Sequence, residues 1–275
     1  MALINGKEAD HLSFLDRGLQ YGDGLFETLA IWRSQALCVQ RHLQRLARGC
    51  QVLGIPMPDT ETLRSEIATI SAGVHRGVLK LIVTRGNAGR GYTPPDHVAP
   101  TRIVSLHPWP HYPLSFWRHG IAAHRCQVQL SRNRLLAGLK HLNRLEQVLA
   151  RRDCHIHHCP EGLMLDTSGS VIAGTMSNLF LVRDGQLITP RLVHCGVAGV
   201  MREIIMEVIR SERELPLRVR AIRLGSVEEA EEIFICNSLI GIWPVKRFGG
   251  HSYTVGPVTQ HLQRELRRRC VVAQG

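Results

Sequence analysis

The chain has 275 residues, enough for two compact domains or one large one. Its 44% hydrophobic and 21% charged residues are an ordinary soluble balance. No apolar run reaches the roughly 18–20 residues that cross a bilayer, and the start, MALINGKEADHLSF, lacks the basic-then-apolar pattern of a signal peptide. The formal charge of +11 permits attraction of anionic partners, yet apart from Arg264, Arg267, Arg268 and Arg269 the basic residues are spread along the chain, and no nucleic-acid reader motif accompanies them. The expectation is a cytoplasmic protein with no membrane and no nucleic-acid partner.

In chain order, DRGLQYGDGLFETLA (Asp16 to Ala30) has two glycines bracketing Asp23, which predicts a tight turn before a strand. RHLQRLARGCQVL places Leu43, Leu46, Cys50 and Leu53 on one helical face. A second helix begins at Asp59 as N-cap and carries Leu63, Ile67 and Ile70. VLKLIVTRG reads as a strand ending at Gly86, and Arg102 to His107 as another. HPWPHYP (His107 to Pro113) is rich in proline, which removes backbone donors and fixes φ, so it reads as a connector. The predicted organisation is a smaller domain over 1–106, a linker over 107–119 and a larger domain over 120–275, of mixed α/β (α+β) class.

In the second half GIAAHRCQVQL predicts a strand, and HLNRLEQVLARR a helix with Leu142, Leu145, Val148 and Leu149 inward. NLFLVRDGQLITP is a hairpin turned at Asp184-Gly185, a dipeptide suited to a type I′ turn. GVMREIIMEVIR is a helix entered through Gly199, and SVEE at Ser226 has the form of a capping box with Glu229. EIFICNS is a buried strand, and Pro257 opens the last helix. The eight cysteines are scattered, which predicts buried thiols rather than disulfides.

A few residues carry chemistry. Lys140 lies between a strand-like segment and a helix, flanked by Leu139 and Leu142. A lysine that forms a Schiff base needs partial burial and neighbouring positive charge; the local sequence permits this, and equally permits a solvated surface lysine. GVAGVMRE, Gly196 to Glu203, puts glycines before a helix, where free amides and the helix dipole make an anion site. Asn237 follows a buried strand, and Arg45, on a helix, is of the type that grips phosphate bidentately. CHIHHC, Cys154 to Cys159, has metal-ligand residue types, but six contiguous residues rarely converge tetrahedrally, so no metal site is expected there.

DRGLQYGDGLFET, HLQRL, TRGNAGRGY, LAGLKHLNRLEQVLAR, GTMSNLFLV, GVAGVMR and ICNSLIGIWPV occur in this order. Together they resemble the fold type IV pyridoxal 5'-phosphate (PLP) enzymes, the group of branched-chain and D-amino-acid aminotransferases and aminodeoxychorismate lyases. GLKHLNRLEQV and TRGNAGRGY are more similar to the lyase members. The resemblance implies a two-domain homodimer in which Lys140 carries PLP and then acts as general base and acid. It also implies that Arg45, Gly199, Val200 and Asn237 hold the phosphate, and that Thr175, Met176, Ser177 and Asn178 line the ring. The implied reaction converts 4-amino-4-deoxychorismate to 4-aminobenzoate and pyruvate, with Arg90, Tyr92 and Arg144 as candidates for binding the substrate. An aminotransferase acting on D- or branched-chain amino acids is the alternative.

One position departs from the pattern. The family reads VxEGTxSNLF, with a glutamate beside the pyridine nitrogen; this chain reads VIAGTMSNLF, with Ala173 there. Alanine cannot favour the protonated ring, the stronger electron sink. The residue fits a natural variant helped by aromatisation, an engineered change, or a chain that binds PLP with little turnover. Glu161 and Asp166 lie nearby in sequence but out of register with the missing carboxylate.

Overall fold

The computed structural model describes residues 1–97 and 99–273. They form two units. The first is Met1–Pro110 with Leu139–Asn143 and Ala273; the second is His111–Gly138 and Arg144–Val272. The division at Pro110 falls inside the segment 107–119 expected as a linker. Within the span 120–275, Leu139–Asn143 belongs to the first unit, and residues 274–275 lie outside those described.

The first unit is built on strands β1 (Ala2–Ile4), β2 (Lys7–Glu8), β3 (Gly24–Trp32), β4 (Gln35–Ala36), β5 (Arg76–Thr84) and β6 (Thr101–His107), with helices α1 (Arg17–Tyr21), α2 (Val39–Leu53) and α3 (Thr60–Ser71). The sheet order is β2-β1-β6-β5-β3-β4. β3 and β5 pair antiparallel from Gly24↔Thr84 to Trp32↔Arg76, whereas β4 covers β3 only at Ile31 and Trp32. Leu43, Leu46 and Cys50 of α2 and Leu63, Ile67 and Ile70 of α3 pack with Leu29, Ile31, Leu79, Leu81 and Val104 of the sheet. Asp59 caps α3, its carboxylate accepting from the Thr62 amide at 2.7 Å, a cap worth about 1 kcal/mol.

The second unit holds α4 (Ser115–Arg118), β7 (Ile121–Arg125), α5 (Leu145–Ile156), β8 (Glu161–Leu165), β9 (Val171–Gly174), β10 (Asn178–Arg183), β11 (Gln186–Pro190), α6 (Val200–Glu212), β12 (Leu217–Arg220), α7 (Leu224–Glu228), β13 (Glu232–Asn237), β14 (Gly241–Phe248), β15 (His251–Ser252) and α8 (Pro257–Arg268). The sheet runs β12-β11-β10-β13-β14-β7-β8-β9, with β15 on β14. Leu163, Val171, Leu179, Leu181, Ile233, Ile235 and Trp243 fill its core. Part of the segment expected as a linker packs into this core as a piece of the second unit: Tyr112 and Phe116 meet Trp243 edge-on at 4.7 and 5.1 Å, and Trp117 Nε1 donates to the Ile240 carbonyl at 2.7 Å. The β10–β11 hairpin turns through Asp184 and Gly185 at φ 51° and 64°, the left-handed pair a type I′ turn needs.

Two elements depart from expectation. α5 presents Leu145, Val148 and Leu149 to solvent, at 77%, 59% and 49% exposure, and buries Ala150 and Cys154 instead. Leu142 precedes the helix. Periodicity finds an apolar stripe but cannot say whether the chain's own core receives it. Ser226 caps nothing: α7 begins at Leu224 with Arg223 as N-cap, and the Ser226 amide donates to the Arg223 carbonyl at 3.0 Å. No disulfide links the described cysteines; Cys50, Cys126, Cys154, Cys195 and Cys236 are buried thiols.

Candidate active site

Lys140 sits where β3 lacks a neighbour on one side. The Phe26 amide donates to the Lys140 carbonyl at 2.9 Å, and the Leu142 amide to the Gly24 carbonyl at 3.0 Å. His141 bridges antiparallel to Leu25. Asn143 Nδ2 donates to the Gly22 carbonyl at 3.1 Å. Gly22 has φ +64°, and a Cβ there would meet Asn143 Oδ1 at 2.6 Å, so the turn before β3 needs glycine twice over. The GDG turn therefore positions the lysine. Lys140 is half-buried, with its ammonium 4.1 Å from the Phe26 ring centre.

Beneath the same strand a charged cluster is buried. Glu27 of β3 accepts from Arg45 Nε at 2.8 Å, is paired with Arg45 Nη2, and lies 2.6 Å from His42 Nδ1. Burial alone would raise the Glu27 pKa; Arg45 and His42 outweigh it and bring it to about 2. Burial pushes His42 below its usual range against the pull of Glu27, with Arg45 and Lys140 adding to the lowering. Arg45 is thus a pre-ordered cation. The signal for this cluster was available: a glutamate inside an apolar strand, and His42 and Arg45 three apart on one helix face.

Arg90 and Tyr92 stand on the exposed connection between β5 and β6. Arg17 braces it, donating to the Gly91 and Tyr92 carbonyls at 2.8 and 3.1 Å. Asp23 takes hydrogen bonds from Arg17 at 2.8 Å and Arg85 at 2.7 Å, so the turn residue is a charge hub. Arg144 is the N-cap residue of α5 in the second unit.

In the second unit the loop Thr175–Asn178 is organised by Glu161, which is fully buried. Its carboxylate accepts from the amides of Gly162 and Thr175 at 3.0 Å and Met176 at 3.3 Å, from Ser177 Oγ at 2.8 Å, and from Thr175 Oγ1. Glu161 is out of register with Ala173 in sequence, yet pairing of β8 with β9 brings its carboxylate to the loop. Asn178 Nδ2 donates to the Val197 carbonyl at 2.9 Å. A Cβ on Gly199 would meet Asn178 Oδ1 at 2.0 Å, so glycine is required where α6 begins. α6 starts at Val200 with no side-chain cap, leaving its first amides and positive dipole end for an anion. Asn237 Nδ2 donates to the Met176 carbonyl at 3.1 Å, and its Oδ1 accepts from the Leu239 and Ile240 amides. Ala173, 7% exposed, belongs to an apolar cluster with Cys126, Met164, Ile172 and Cys195.

The six residues of CHIHHC do not converge: Cys154 is buried 3.8 Å from Cys126, whereas His155, His157 and His158 are exposed. A cavity of about 260 Å³ lined by Arg132, Asp166, Arg191, His194 and Arg223 includes none of the expected site residues.

The amino-transferase class IV model matches residues 24–248. The chain is 33% identical to an aminodeoxychorismate lyase of Vibrio harveyi, over 97% of this chain and 99% of that protein. It is 47% identical to the crystal structure of 4-amino-4-deoxychorismate lyase from Pseudomonas aeruginosa, with a TM-score of 0.93 and 98% of each chain covered. The PLP-bound form of a hypothetical aminotransferase from Mycobacterium tuberculosis shares the fold, with a TM-score of 0.85 at 23% identity over 97% of each chain. This chain therefore belongs to the amino-transferase class IV family.

Proposed function

We propose that the chain is a PLP-dependent lyase that converts 4-amino-4-deoxychorismate to 4-aminobenzoate and pyruvate, a step toward folate. The observation that carries the reading is Lys140, half-buried, its carbonyl accepting from the Phe26 amide while the Leu142 amide, two residues on, donates to the Gly24 carbonyl. The 47% identity to the Pseudomonas aeruginosa lyase favours lyase over aminotransferase.

The residues present suit a phosphorylated ring. The uncapped start of α6, the glycine demanded at 199 and the pre-ordered Arg45 are features an anionic phosphate uses. Lys140 holds the cofactor; Gly199 and Val200 amides, Arg45 and Asn237 take the phosphate; Thr175, Met176, Ser177 and Asn178 line the ring. When bound, PLP supplies the electron sink. Lys140 Nζ then removes the proton from the substrate carbon bearing nitrogen and returns a proton to the departing enolpyruvyl group. Aromatisation drives the expulsion. Arg90, Tyr92 and Arg144 bind the substrate, whose two carboxylates suit the arginines. Ala173 stands where the family pattern has its glutamate, so turnover slower than with that glutamate is expected.

The working form is a homodimer. Leu145, Val148, Leu149 and Ile156 give α5 an exposed apolar side that a second copy covers. The protein acts in the cytoplasm; no helix of the described residues is long and apolar enough to cross a membrane. Incubation of the purified protein with 4-amino-4-deoxychorismate tests the reading. Equal yields of pyruvate and 4-aminobenzoate without an amino acceptor are expected. Product formation that requires a 2-oxo acid would mark an aminotransferase.

A further inference from the structure

Two imidazoles and a carboxylate meet in the second unit on residues that the reaction above does not use. His124 is on β7; Asp153 is on α5, and His157, four residues later, caps the same helix. His124 Nε2 lies 3.2 Å from Asp153 Oδ2, and His157 Nε2 lies 3.5 Å from Asp153 Oδ1. The three ligand atoms all fall within 4.8 Å of one another. The imidazoles stack with centres 4.0 Å apart and planes 18° from parallel. Asp153 is fixed from behind by the Gln127 amide at 3.0 Å, which with His124 and His157 holds its carboxyl below the usual range.

A divalent cation would use all three groups at once, taking one ring nitrogen from each stacked imidazole together with the carboxylate that both approach. Donors bound tetrahedrally at about 2.0–2.1 Å stand roughly 3.3 Å apart. Each imidazole stands near that distance from one Asp153 oxygen, His124 at 3.2 Å from Oδ2 and His157 at 3.5 Å from Oδ1, so the carboxylate would span the ion with both oxygens. A rotation of the His157 ring, 47% exposed, closes the remaining histidine–histidine distance. Imidazole and carboxylate donors select zinc-like ions over magnesium or calcium.

We infer that His124, Asp153 and His157 form a binding site for one zinc-like divalent cation, with water at the open position on the solvent side. The ion would join β7 to the C-terminal end of α5. Of the CHIHHC segment only His157 takes part; the other two ligands lie on β7 and at Asp153, so the contiguous motif misleads about where the donors meet.

The test is titration of untagged, chelator-stripped holoprotein with Zn²⁺, followed by calorimetry and thermal unfolding. One equivalent of Zn²⁺ is expected to bind and to raise the Tm. His124→Ala, Asp153→Asn and His157→Ala should each weaken binding by at least about tenfold and abolish the Tm rise, while His155→Ala and His158→Ala leave both unchanged. His157 is exposed, so His157→Ala keeps the fold, which circular dichroism checks. Failure to take up a stoichiometric ion, uptake unchanged in His157→Ala, or uptake lost in His155→Ala would each overturn the assignment.

Discussion

The Phe26 amide donates to the Lys140 carbonyl at 2.9 Å, and the Lys140 ammonium stands 4.1 Å from the centre of the Phe26 ring. One strand residue thus fixes both the backbone and the head group of the proposed cofactor lysine. Borohydride reduction of the holoprotein is expected to place the label on Lys140. Lys140→Ala should lose the visible chromophore and at least about a thousandfold of turnover. A label on any other lysine removes the central claim.

Glu27 gives a pH prediction. Its folded value of about 2 lies below the ordinary 4.5, so the fold binds the ionised form. Its contribution, on the order of 3 kcal/mol, is full above about pH 4.5 and is lost as the pH falls toward 2. Urea unfolding across that window should show stability falling with pH in the parent and a flatter profile in Glu27→Gln. That variant should also lose about 3–5 kcal/mol at neutral pH by stranding Arg45. Matching slopes in the two proteins would refute the assignment.

Glu161 holds the loop proposed to line the ring through four hydrogen-bond donors, and accepts a fifth bond from the Gly162 amide. Glu161→Ala leaves buried donors without partners, each costing about 1–3 kcal/mol. Cofactor retention on gel filtration should fall, together with the Tm. Ser177→Ala, which removes one donor, should have a milder effect. Full PLP retention by Glu161→Ala would show that the loop orders itself.

Ala173 predicts a gain. With a carboxylate restored, Ala173→Glu should raise kcat while leaving KM near its parent value, because the change concerns the electron sink and not substrate contacts. Steady-state rates decide this, and equal kcat values would remove the argument.

The exposed side of α5 predicts assembly. Leu145→Glu combined with Val148→Glu should shift a dimer to monomer in analytical ultracentrifugation with little loss of secondary structure, since both side chains are exposed within the single chain. A parent protein that sediments as a monomer refutes the homodimer.

Much of the fold was legible because local rules and tertiary packing agreed. The stripe Leu43-Leu46-Cys50, the Asp59 cap, the Asp184-Gly185 turn and Pro257 at the start of α8 each act within a few residues. The misreadings came where partners are distant. The stripe on α5 looked like a core face because periodicity does not say whether the chain's own core receives it. Ser226 matched a capping pattern, but the helix had begun at Leu224. The Glu27–His42–Arg45 cluster and the hold of Glu161 on Thr175–Ser177 depend on strand pairing that no local pattern encodes.

The place of Leu139–Asn143 in the first unit also sets an order of events during synthesis. Its Gly24–Phe26 edge has no β4 residue beside it and is closed by Lys140 and Leu142. At about 5–20 residues per second, the ribosome needs roughly 2–7 s to pass from His107, the end of β6, to Lys140. For that interval the nascent sheet carries an unpaired edge of the sort that recruits foreign strands. The arrival of Lys140 is also the event that seals it, so the nascent chain becomes safe from mispairing at the moment it gains the proposed cofactor lysine.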